Sequence, residues 1–78
     1  MNNSENYKKA FLSTFPIKEE QLEKLEYNQI DEWDSIGHMG LMSELEEKFK
    51  ITLDTDDIVD FSSFQKGKKI LKKYKINI

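Results

Sequence analysis

The 78-residue chain has no cysteine, no arginine, one proline and three glycines. Without cysteine there is neither a disulfide framework nor a thiolate metal site. Without arginine, every positive charge is a lysine, and the planar fork that reads phosphates and base edges is missing. No apolar run approaches a membrane span of about 20 residues, and the opening MNNSENYKKA lacks the apolar stretch of a secretory leader. The expectation is a soluble, cytoplasmic protein with no membrane span. A chain this short buries a limited core and has little room for a deep substrate pocket, which argues against a self-contained enzyme.

What is abundant is acid, and it is unevenly placed. Residues 19–60 hold 14 acids against 3 lysines, whereas residues 61–78 hold 6 lysines and no acid. The acidic middle repels nucleic-acid phosphates and attracts basic protein surfaces. The basic end lacks arginine and any base-reading motif, so its lysines read as a solvated helix face and no nucleic-acid partner is expected.

Hydrophobic spacing predicts a small all-α fold, a four-helix bundle of three longer helices and one short third helix. Residues 4–15 form the first helix, with Ser4 able to cap it and Tyr7, Ala10, Phe11, Thr14 and Phe15 on one face. Pro16 stops it, because proline disfavours helical geometry in the preceding residue. Residues 17–33 make a long structured loop, with a helical turn or two in KEEQLEKL and apolar anchors packed over the bundle. The second helix starts at Asp34 or Ser35 and runs to about Lys50, with His38, Leu41, Met42, Leu45 and Phe49 as its core face. Ile36 and Met39 fall outside that face, beside Ser43, Glu46 and Glu47, and suggest a contact surface. Asp54 or Thr55 caps a short third helix ending near Phe61. In SSFQKGKKILKKY, Ser62 and Gln65 have capping-box spacing, and Phe64, Gly67, Ile70, Leu71 and Tyr74 share the inner face. KITL is the one weak strand candidate.

The chemistry question concerns DEWDSIGHM, residues 31–39. Ser35 can be a helix cap, a nucleophile or an attachment point. As a nucleophile it has His38 one turn away, but the strained Gly-x-Ser-x-Gly elbow and an oxyanion hole are missing. His38 itself lies on the core face and reads as a packed, hydrogen-bonded side chain. DTDDIVD invites a calcium loop, yet Ile58 and Val59 stand where an oxygen ligand and glycine are required, so no metal site is expected.

Asp34, Ser35 and Ile36 stand before an acidic amphipathic helix, and LMSELEEKFKITLDTDDIVDFSSF follows. In this order the chain resembles the acyl carrier protein family over roughly residues 4–74. The resemblance implies a protein that is not itself an enzyme. It carries a 4′-phosphopantetheine arm, transferred from coenzyme A, on Ser35, and delivers an acyl or aminoacyl thioester between enzymes. It implies a contact role for Asp34 with the transferase and its metal. The implied partners are a phosphopantetheinyl transferase, an acyl- or aminoacyl-loading ligase and downstream acyl-transfer enzymes, meeting a monomer. Ile36, Met39, Glu44, Glu46, Glu47, Asp56 and Asp57 are the expected docking residues. Where the family often places acids in the first turns of this helix, the chain has Gly37 and Gly40, which cost about 1 kcal/mol each relative to alanine. Close approach of a partner or of the arm would offset that cost, and a carrier outside bulk fatty-acid synthesis fits the departure. The alternative is a helical protein-interaction domain with this fold and no prosthetic group.

Overall fold

In the computed structural model, which describes residues 2–78, helix α1 spans Asn3–Thr14. Its cap is Asn2, whose side chain accepts from the Ser4 and Glu5 N–H groups, so Ser4 lies inside the helix rather than at its cap. The asparagine supplies the same oxygen acceptor two positions earlier. Phe15 is extended ahead of Pro16, as the proline requires. Tyr7, Ala10, Phe11 and Phe15 are buried. Thr14 is half-buried and returns its hydroxyl to the Ala10 carbonyl at 2.7 Å.

The loop contains one 3₁₀ helix, Glu19–Lys24, and is anchored by buried Leu22, Leu25 and Trp33. It meets the last helix through backbone bonds: Tyr27 N–H to Ser62 O at 2.8 Å and Phe64 N–H to Leu25 O at 3.0 Å. These form an isolated antiparallel bridge between Glu26 and Ser63. No strand occurs among the described residues, and the KITL segment is an irregular link.

Helix α2 spans Ser35–Phe49, α3 spans Thr55–Asp60 and α4 spans Phe64–Lys72. The α2 face of His38, Leu41, Met42 and Leu45 is buried as expected, with Phe49 packed at its edge. At the start of α4, Ser63 rather than Ser62 is the cap and accepts from Lys66 N–H at 2.9 Å. Gln65 therefore forms no capping box and instead bonds the carbonyl and side chain of Glu23. Phe11 is the hub of the core, with ring centroids of Tyr7 and Phe64 at 5.1 Å and of Trp33 at 5.6 Å. Aromatic pairs of this kind add about 0.5–1.5 kcal/mol each beyond the area they bury. Tyr7 is anchored by a 2.6 Å bond from its hydroxyl to the Phe64 carbonyl, and burial pushes its phenol far up. Among the described residues no helix is long and apolar enough to cross a membrane.

Candidate functional site

The site is built where the loop ends and α2 begins. Asp34 is the helix cap, its carboxylate accepting from Gly37 N–H at 2.9 Å. The N–H groups of the first turn have no intrahelical partner, and the helix dipole favours negative charge there. Ser35 is the first helical residue and is exposed, with its side chain at the rim of a cleft.

Gly37 holds the loop in place by having no side chain. A Cβ there would lie 1.8 Å from the Glu32 carbonyl oxygen and 3.3 Å from the Phe15 ring. The approach that excludes a side chain comes from the chain's own loop. Gly40 is different: a Cβ would meet nothing closer than Thr14 Cγ2 at 4.0 Å.

His38 points inward, as its place on the core face implied. Trp33 Nε1–H can only donate, and it lies 2.9 Å from His38 Nδ1. Nδ1 is therefore the acceptor, the proton sits on Nε2, and Nε2–H donates to the Ile58 carbonyl at 2.7 Å. Tyr27, Trp33 and Phe61 surround the ring, with centroids 5.4–6.2 Å away. Both nitrogens are engaged, so His38 offers Ser35 no base. Trp33 is fully buried and pins the loop without facing the cleft.

The cleft between α2 and α3 is open to solvent on one side and has a volume of about 410 Å³. Tyr27, Met39, Ile58, Val59, Phe61 and Ser62 line it together with Ser35 and His38. Around its rim Ile36 is 82 % exposed, Val59 75 % and Met39 51 %. Val59 was not anticipated. The available signal was Ile58 next to Val59 in a six-residue helix, too short for a wide inner face, so that one of the two stays at its edge.

The expected docking residues separate into two groups. Ile36, Met39 and Glu47 lie along one exposed stripe of α2, and Asp56 is exposed on α3. Asp57 is withdrawn from that surface. It is buried and binds Lys73 Nζ and the Tyr74 hydroxyl, the latter at 2.6 Å. Those two hydrogen bonds hold its carboxyl below the ordinary range against the opposing effect of burial. Glu46 is likewise engaged, accepting from Leu53 N–H at 2.8 Å. Glu44 sits at the α1 edge, 3.5 Å from Ser13 Oγ and 4.0 Å from Lys48 Nζ. Comparison with protein-family models, curated proteins and solved structures finds no match for this chain.

Proposed function

We propose that the protein is a carrier whose Ser35 is the attachment point for a 4′-phosphopantetheine arm taken from coenzyme A. The observation that supports this most directly is the exposed Ser35 hydroxyl at the start of a 15-residue helix, beside an apolar cleft and without a base of its own. A hydroxyl so placed suits modification by another enzyme, because the transferase supplies the base that takes its proton. The attached phosphodiester would sit where the first-turn N–H groups favour an anion. The arm's chemistry is a terminal thiol that holds an acyl or aminoacyl group as a thioester. The chain's own residues present the hydroxyl, orient the helix start and offer a docking face.

Four helices, the third one short, joined by a loop packed over the core are the arrangement this reading expects of a monomeric cytoplasmic carrier. Asp34 caps the helix and, following the resemblance, would contact the transferase and its metal. Ile36, Met39 and Val59 supply the apolar part of the docking face, and Glu47 and Asp56 supply charge that steers basic partners. Those partners are the transferase, a loading ligase and the enzymes that receive the acyl group, in a pathway other than bulk fatty-acid synthesis. The same exposed apolar rim also suits a protein-interaction domain with no prosthetic group.

One experiment separates the two readings. The protein and its Ser35→Ala variant are incubated with coenzyme A, magnesium and a broad-specificity phosphopantetheinyl transferase, and their intact masses measured. The expected result is a gain of one phosphopantetheine in the wild type alone. An unchanged mass, with a control carrier converted in the same tube, favours the interaction domain.

A further inference from the structure

Resting on the carrier reading, we propose that no long alkyl chain on the arm enters between α2 and α3, so that the protein shelters at most a short acyl or aminoacyl group in the cleft beside Ser35. The inner wall of the cleft beside Ser35 is the His38 ring, and that ring is fixed. Trp33 Nε1–H reaches one nitrogen at 2.9 Å and the Ile58 carbonyl takes the proton of the other at 2.7 Å. Tyr27, Trp33 and Phe61 box it on its remaining sides. His38 thus latches α2 directly to the backbone of α3 across the seam a chain would have to enter.

The second side of the seam is held as well. Asp57, next to Ile58 in α3, is bound by Lys73 and Tyr74 beyond α4. Moving α3 away from α2 would break the His38–Ile58 bond and strain this second anchor. Moving His38 instead would leave the Trp33 indole N–H without an acceptor in a fully buried position. Trp33 and Phe61, which pack against the His38 ring, belong with Phe11, Leu41 and Leu45 to the buried core. What remains is the open cleft, whose rim residues Met39 and Val59 face water. A small group can rest there. A long chain lying there would keep much of its length in solvent.

The test uses acyl-coenzyme A donors, from which a broad-specificity transferase places the acylated arm on Ser35 in one step. Acetyl, butyryl, octanoyl and palmitoyl forms are made, their masses verified and their melting temperatures compared with the unacylated arm-bearing form. Burial of only two methylenes would raise Tm by roughly 6–13 °C in a domain of this size. The expected wild-type result is no further rise from butyryl to octanoyl to palmitoyl. His38→Ala, which removes the latch and opens the wall, should instead gain several degrees on octanoylation relative to its own arm-bearing form. A wild-type octanoyl or palmitoyl form melting about 6 °C or more above the acetyl form overturns the inference while leaving the carrier reading intact. Failure of every donor to add mass, with a control carrier acylated, overturns the carrier reading and this inference with it. The wild-type series decides the matter even if His38→Ala does not fold.

Discussion

Two glycines three residues apart in one helix should respond to alanine with opposite signs. Gly40→Ala adds a methyl into near-open space, 4.0 Å from Thr14 Cγ2. It also removes the backbone-entropy penalty of a helical glycine, so the variant should gain about 0.5–1 kcal/mol. In a domain of this size that is a rise of roughly 2–8 °C in Tm. Gly37→Ala carries the same favourable propensity change, but its Cβ would fall 1.8 Å from the Glu32 carbonyl oxygen. That oxygen belongs to the backbone and cannot rotate away. Relief requires the loop ahead of Asp34 to retreat from the helix, which disturbs the seat of Trp33. Overpacking of this kind costs about 1–3 kcal/mol, more than the propensity gain. The net expectation is a loss of roughly 1–2 kcal/mol for Gly37→Ala, separating the two variants by about 2 kcal/mol. Urea unfolding followed by the fluorescence of Trp33 measures both. A Gly37→Ala protein as stable as Gly40→Ala would show that the Glu32 carbonyl does not press on the helix, and the account of this loop would be wrong.

The cap assignment makes a second contrast: Asp34→Ala should lose about 1 kcal/mol with its bond to Gly37 N–H, while Ser35→Ala stays within about 0.5 kcal/mol of wild type. Equal losses in chemical denaturation would refute it. The Asp57 cluster predicts a pH dependence. A carboxyl whose folded pKa lies below its unfolded value of 3.8 contributes stability that is complete above that value and is lost as pH falls through the folded one. The stability gap between wild type and Asp57→Asn should therefore be widest near neutrality and close progressively below about pH 4. A gap that widens on acidification would contradict the assigned partners.

The legible part of this fold was local. The period of α2 placed His38, Leu41, Met42 and Leu45 inward and left Ile36 and Met39 out, because one helix face needs no information from the rest of the chain. The stop at Pro16 is local in the same way, because the proline acts on Phe15 beside it, whereas the apolar anchors of the loop announced that it packs without naming its backbone partners Ser62 and Phe64. What escaped were contacts whose partners lie far along the sequence. Asp57 looked like one more acid in an acidic run, but its partners Lys73 and Tyr74 stand 16 and 17 residues away. Glu46 was drawn to Leu53 N–H by the turn that follows α2, where Lys50 adopts left-handed geometry. The cap of α1 moved from Ser4 to Asn2 because several adjacent residues can serve that role equally well.

The division between fixed and free side chains around Ser35 follows from how the helix begins. Trp33 and His38 face inward and bond each other, whereas Ser35, Ile36 and Met39 face outward. The inward pair has no spare hydrogen-bonding capacity: the indole has one donor and the imidazole has used both nitrogens. A serine and a histidine one turn apart could in principle share a proton, and here the fold forbids it by directing the acceptor nitrogen to Trp33. The same bond makes the platform beneath Ser35 rigid, since turning the ring would strand a buried donor. A presented hydroxyl on a rigid helix start is what an external modifying enzyme can recognise, because it meets one geometry and not an ensemble. His38 therefore offers Ser35 no free nitrogen, stiffens its support and ties α2 to α3 through one pair of hydrogen bonds.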